Sequence, residues 1–245
     1  MKRDYIAEAK ALEPWYHTIA ISEDYTTTTR LGAETFKQWE NNRAVRSALD
    51  YTGKTVLDLG TMDGMWAFEA ERLGALKVVA TDIWQGFGLE TGPQRFDVAH
   101  AALKSKVVLK PGGDVHNLHS WLLRNRLFAF DIVQCLGLLY HIQNPILALH
   151  QIRKCTNDGG VMLLETAYWN ENSDGPAMRY NSDGGIYCDP CTFWAMNPRC
   201  LVDVLQLCGF KARSGALMLG EGKIRRVSVV CDTLPVTKNA DNFGT

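Results

Sequence analysis

Apolar positions along this chain repeat with two alternating periods. Short runs of consecutive apolar residues mark buried strands, and spacings of three and four mark helices. The first 50 residues are helical at both ends. Ile6, Ala9 and Leu12 precede Pro14, and Phe36, Trp39, Val45 and Leu49 line one side of a helix expected over Glu34–Ala48. The β-branched run Thr26–Thr29 between them is a poor helix. From residue 51 a strand–helix alternation begins. Strands are expected at Thr55–Leu59, Lys77–Ala80, Phe130–Leu136 and Gly160–Glu165, and helices at Met65–Leu73, Gln94–Leu103 and Pro145–Lys154. Val107–Leu109 and Asp114–His116 bracket a further strand region broken by Pro111-Gly112-Gly113. A helix at Cys200–Leu207 and strands at Phe210–Ala212 and Ile224–Val230 close the pattern. Such alternation predicts an α/β fold, a mostly parallel sheet with helices on both faces.

The alternation breaks over residues 167–198, which are rich in Gly, Asn and Asp and carry Tyr168, Trp169, Tyr180, Tyr187, Phe193 and Trp194. An irregular stretch of this length is usually functional, and its aromatics suit a lid over a substrate. The expected organisation is a helical arm over 1–50, a main domain over 51–234 containing that lid, and a frayed tail over 235–245.

Composition narrows the function classes. Hydrophobic residues at 46% and charged residues at 22% fit a globular chain with a real core rather than a disordered one. The net charge of −1 lacks the basic surplus that phosphate-gripping proteins usually carry, so a nucleic-acid partner is not favoured. No apolar run approaches the ~20 residues of a membrane helix, and the N-terminus lacks an apolar signal core, so a cytoplasmic protein without a membrane partner is expected. The seven cysteines include the pair Cys188 and Cys191, but no second pair at matching spacing follows. Reduced thiols and no metal are therefore expected, and nothing in the sequence sets an oligomeric state.

Two segments carry the chemistry. In VLDLGTMDGMWAFEAERLGA, residues 56–75, a strand runs through a glycine-containing turn into a helix, and VVATD at 78–82 ends the next strand on Asp82. Gly60 and Gly64 let backbone approach a ligand, and an acid at the end of the second strand can accept both ribose hydroxyls of a nucleoside. A dinucleotide fingerprint would need further glycines where Met62 and Met65 stand, which argues against a pyrophosphate. Asp58 and Asp63 flank the turn and suit a cationic ligand. In the second segment, DIVQCLGLLYH at 131–141, a buried strand runs out into Gly137, Tyr140 and His141. Ligands of open α/β sheets lie beyond such carboxyl ends, where these side chains can meet a substrate.

With VLDLGTMDG, ATD and FDIVQCLGLLYH in place, the chain resembles the class I methyltransferases that use S-adenosyl-L-methionine (SAM). PWYHTI at 14–19, GLLYHIQNPILAL at 137–149 and GGVMLLET at 159–166 resemble the subgroup containing the tRNA wobble-uridine 5-oxyacetic acid carboxymethyltransferase and its small-molecule relatives. The resemblance implies a Rossmann-like, seven-stranded sheet. It implies that Asp58, Gly60, Thr61 and Gly64 line the methionine end of SAM and that Asp82 holds the ribose. Ile83, Asp114 and Val115 would meet the adenine, and Cys135, Leu136 and Gly137 would border the sulfonium. The wobble-uridine enzyme grips the extra carboxylate of a carboxylated SAM with a lysine, a tyrosine and an arginine. Tyr140 and Arg226 match the last two, and the lysine falls on His17.

The resulting expectation is methyl transfer from SAM to an oxygen or nitrogen of a small molecule. His141 and His17 are candidate bases and Tyr140 positions the acceptor, while Trp15, Glu165, Trp169, Tyr187 and Arg226 contact it. The alternatives are tRNA wobble-uridine (carboxy)methyl transfer and a SAM-binding subunit without turnover.

Overall fold

The computed structural model describes residues 3–85, 90–170, 175–182 and 191–235. The chain divides into two compact units, Met1–Asp114 and Val115–Thr245. The expected arm lies wholly within the first.

In the first unit, helix α1 (Tyr5–Ala11) starts where the Asp4 side chain accepts from the Ala7 N–H. Strands β1 (Ala20–Ser22) and β2 (Tyr25–Thr26) form an antiparallel hairpin inside the Thr-rich stretch. Helix α2 (Ala33–Arg46) buries Trp39, Asn42, Val45 and Arg46. This corrects the expected face, because Phe36 stays exposed. Arg46 turns inward because its guanidinium finds Glu69 at 2.6 Å, the Tyr51 hydroxyl at 3.2 Å and the Trp66 carbonyl at 3.2 Å. Strand β3 (Thr55–Leu59), helix α3 (Met65–Arg72), strand β4 (Lys77–Thr81), helix α4 (Gly92–Leu103) and strand β5 (Val108–Leu109) follow. The three strands are parallel, with Leu57 beside Val79 and Val79 beside Val108. Their apolar residues, Val56, Leu57, Val79 and Ala80 among them, are fully buried.

The second unit opens with a correction. The strand expected at Asp114–His116 is a 3-10 turn, Val115–Asn117, leading into helix α5 (Leu118–Arg124). The local reason is plain: Leu118, Trp121 and Leu122 have helical spacing and all are buried. Strand β6 (Phe130–Leu136), a 3-10 turn at Leu139–His141 and helix α6 (Pro145–Lys154) come next. Strand β7 (Thr156–Trp169) runs parallel to β6. After it come β8 (Met178–Tyr180), β9 (Trp194–Met196), α7 (Pro198–Leu207), β10 (Phe210–Ala212), β11 (Leu217–Leu219) and β12 (Ile224–Thr233). Helices α6 and α7 each begin with proline after an asparagine cap, Asn144 accepting from Leu147 and Asn197 from Cys200. Strand β12 lies antiparallel to β7 from Ile224 beside Trp169 to Asp232 beside Val161, and β10 and β11 both pair with β12.

The expected lid is partly sheet. Residues 167–169 extend β7 because β12 continues to pair with them. Strands β8 and β9 pair with each other, and β9 joins β7 at Tyr168 beside Met196. Tyr187 and Cys188 lie outside the described residues. Parallel strands alternating with helices make this a Rossmann-like α/β fold. Among the described residues no helix is long and apolar enough to cross a membrane.

Candidate active site

In the first unit the turn after β3 carries most of the predicted cofactor residues. Gly60 has φ 65°, Met62 φ 56° and Gly64 φ 94°. Met62 thus adopts the left-handed backbone usual for glycine, at a cost of about 1–2 kcal/mol for an L-residue. Two bonds offset that cost. The Met62 N–H donates to Asp82 Oδ2 at 2.9 Å, and Trp84 Nε1 donates to the Met62 carbonyl at 2.9 Å. A turn without its middle glycine therefore keeps a glycine-like shape. Asp82 Oδ1 also accepts from the Trp84 N–H at 2.8 Å. A carboxylate offers about four acceptor positions, so Asp82 retains acceptor capacity for a ribose hydroxyl. Burial pushes Asp82 above the usual carboxylate range, against the pull of these N–H donors.

Thr61 is buried, and its Oγ1 has no hydrogen-bond partner among the described residues. Beside Asp82, Ile83 stays 46% exposed and offers an apolar face. An unmatched hydroxyl, an acid and an exposed aliphatic side chain suit a ligand with hydroxyls and a flat base, as SAM has. Asp58 is buried at the end of β3. Asp114 is half-buried past the turn in which Gly113 N–H donates to Thr81 Oγ1.

Asp63 departs from expectation. The acid expected to meet a cationic ligand is met instead by hydrogen-bond donors of the arm. His17 Nδ1 donates to Asp63 Oδ1 at 2.5 Å, and the His17 N–H donates to Asp63 Oδ2 at 2.8 Å. Burial works against the Asp63 charge, but the His17 charge and both hydrogen bonds hold its carboxyl below the usual range. His17 is 3% exposed and packed among Tyr16, Trp39 and Trp66. A base acting on an acceptor needs an accessible nitrogen, and in this structure His17 Nδ1 is engaged with Asp63. Trp15 is also buried in the arm, its indole N–H donating to the Ala9 carbonyl. Sequence reasoning missed Trp84, which clamps Met62. A tryptophan two residues past the strand-ending acid was the available signal.

In the second unit, Tyr140, Glu165 and Arg226 come together. Arg226 reaches Glu165 through Nε at 2.7 Å and Nη2 at 2.8 Å, and Nη2 also donates to the Tyr140 hydroxyl at 2.8 Å. The guanidinium lies 4.4 Å from the Tyr140 ring centre. Burial opposes the charge of Arg226, but Glu165 and Tyr140 more than offset it and push the guanidinium pKa up, so it stays charged. The register explains the meeting: Arg226 pairs with Ala167, which places it diagonally from Glu165 on the same face. Gly137, at φ 74°, donates its N–H to the Glu165 carbonyl at 3.1 Å.

His141 Nδ1 lies 2.7 Å from the Cys191 carbonyl. A carbonyl only accepts, so Nδ1 carries the proton, and in the neutral ring Nε2 carries the lone pair a base requires. Phe193 N–H donates to the Tyr140 carbonyl and Trp194 Nε1 to the Gln143 carbonyl, tying the described end of the expected lid to this turn. Trp169 takes the Arg179 guanidinium on its ring at 4.8 Å. Cys135 and Val115 are buried, and Leu136 is half-buried at the end of β6.

Fold and turn are those of an α/β protein of Rossmann type. Residues 31–213 match the methyltransferase domain family, and the chain belongs to that family, whose methyl donor is SAM. It is 32% identical over 145 residues to the tRNA U34 carboxymethyltransferase of Campylobacter hominis, covering 58% of this chain and 47% of that one. It is 28% identical over 206 residues to the enzyme of the same name from Colwellia psychrerythraea, covering 82% of this chain and 57% of that one. The chain thus spans about half the length of the curated relatives it matches. Among solved structures it is similar to the N-terminal domain of EvdMO1 with SAH bound, at TM-score 0.66 and 20% identity, covering 95% of this chain and 100% of that one. It is also similar to the 1,6-didemethyltoxoflavin-N1-methyltransferase of Burkholderia thailandensis, at TM-score 0.53 and 12% identity, covering 89% and 99%. At these identities the structural likenesses carry the fold.

Proposed function

We propose that this protein transfers a methyl group from SAM to an oxygen or nitrogen of a small-molecule acceptor. The reading rests above all on the donor turn, in which buried Asp82 braces a left-handed Met62 and keeps acceptor capacity for a ribose. In this reading Asp82 takes the ribose hydroxyls, Ile83 and Asp114 border the adenine, and Asp58, Gly60, Thr61 and Gly64 accommodate the methionine end. SAM supplies a methyl carbon already activated by the sulfonium. The chain's own task is alignment and proton removal. Tyr140, fixed by Arg226, orients the acceptor, and His141 Nε2 takes the proton as the acceptor atom bonds to the methyl carbon and the carbon–sulfur bond breaks.

The Glu165–Arg226 pair favours ordinary SAM. An extra donor carboxylate needs a cation to meet it, and the Arg226 charge is already matched by Glu165. A second reading, (carboxy)methyl transfer to tRNA wobble uridine, is supported by the 2.8 Å contact of Tyr140 and Arg226, the two residues that match the carboxylate grip of the tRNA enzyme. The names of the curated relatives support it too. Mass spectrometry of the nucleoside ligand that co-purifies with the protein separates the donors. SAM or its demethylated product supports the first reading, and carboxy-SAM supports the second. Salt-sensitive retention of bulk tRNA would likewise favour the second. Tight SAM binding with no methyl release across an acceptor screen would leave a non-catalytic SAM-binding subunit.

A further inference from the structure

Asp63 stands in the donor turn between two left-handed residues, Met62 and Gly64. Both of its carboxylate oxygens are bonded by one arm residue, through the His17 backbone N–H and ring Nδ1. His17 is itself held from two directions. Thr27 Oγ1 donates to the His17 carbonyl at 3.0 Å and accepts the Ile19 N–H at 2.8 Å, which locks residue 17 to the hairpin of β1 and β2. Its ring packs against Trp39 of α2, Trp66 of α3 and Tyr16. On the other side, the Asp63 charge bears on Asp82, adding to the burial that raises the Asp82 carboxyl. Arg95, on α4, also interacts with Asp63, and its Nε donates to the Leu12 carbonyl in the arm.

We propose that the His17–Asp63 pair is a latch through which the N-terminal arm sets the affinity of the turn for its donor. With the arm docked, Asp63 is fixed, the left-handed turn holds its shape and the carboxylate beside Asp82 is compensated. With the arm released, the turn loses an anchor beside its left-handed residue Met62, and Asp82 faces a second buried carboxylate without its hydrogen-bond donors. Arm docking and donor binding therefore reinforce each other, by the reciprocity of linked equilibria. His17 is a positioning residue in this scheme. His17 precedes residue 31, where the match to the methyltransferase domain begins. The inference rests on the SAM reading of the turn.

The test uses the full chain, SAM calorimetry and tryptic cleavage in the arm at Lys10 and Arg30. SAM is expected to slow arm cleavage in the parent protein. His17→Ala should weaken SAM binding by about tenfold or more, the worth of a lost charge-assisted pair, and abolish that protection. His17→Asn keeps a donor near the Nδ1 position and should restore most of the affinity. If His17→Ala fails to fold, Asp63→Asn carries the same expectation from the other partner. SAM affinity within about twofold of the parent in a folded His17→Ala would overturn the latch, as would arm cleavage indifferent to SAM. A parent protein that binds no SAM at all overturns the donor reading and the latch with it.

Discussion

Glu165→Gln tests the polar cluster of the second unit most directly. Glu165 is 0% exposed and receives two guanidinium N–H bonds from Arg226, at 2.7 and 2.8 Å. Glutamine keeps the volume and one acceptor, but it turns an amide donor towards a guanidinium that has only donors. Removing one partner of a buried ion pair costs about 3–5 kcal/mol. The Arg226 side chain keeps 24% of its surface, so water reaches the guanidinium and the lower end, about 3 kcal/mol, applies. Unfolding entropy near ~2.1 cal/mol/K per residue amounts to ~0.5 kcal/mol/K for a chain of this length, so the melting temperature should fall by about 6 °C. Differential scanning calorimetry reads this directly. The companion variant, Glu165→Gln with Arg226→Met, removes both charges and should recover most of the loss, because an apolar replacement of a whole pair is often close to neutral. A single variant melting within about 2 °C of the parent, or a double variant no better than the single, would refute the reasoning.

Asp82→Ala should weaken SAM binding by about tenfold or more, since each charge-assisted bond to a ribose hydroxyl contributes ~1.5–3 kcal/mol, and parent-like affinity by calorimetry would remove Asp82 from the donor site. His141→Ala should lower kcat by about 10²–10⁴ and leave SAM affinity unchanged, as loss of a general base does, whereas a packing role would move both. Asp63, held below the ordinary carboxylate value of 3.8, contributes stability that is fully present above that value and is lost as pH falls through its lowered native value. Urea midpoints measured across the acid range should therefore fall with pH in the parent and fall less steeply in Asp63→Asn.

Local signals determined much of this protein. Thr55–Leu59, Phe130–Leu136, Pro145–Lys154 and Phe210–Ala212 form as their apolar runs and proline starts predict, because a strand or a capped helix is specified within its own few residues. The donor turn was legible for the same reason: a strand, a glycine, a helix and an acid on the next strand are short-range features. The helix α5 was present in the spacing of Leu118, Trp121 and Leu122, but at seven residues it is barely longer than noise. The β1–β2 hairpin and the β8–β9 pair had no comparable mark, since two- and three-residue strands exist only through their partners. What tertiary structure alone decided is which charge meets which. Asp63 takes its partner from 46 residues away and Glu165 from 61. The sequence marks these as candidates for a ligand. Only the docking of the arm and the antiparallel register of β12 on β7 turn one acid towards a histidine and the other towards an arginine. A buried charge is stable only beside its counter-charge, and the chain's path, not its local pattern, brings that counter-charge within 3 Å.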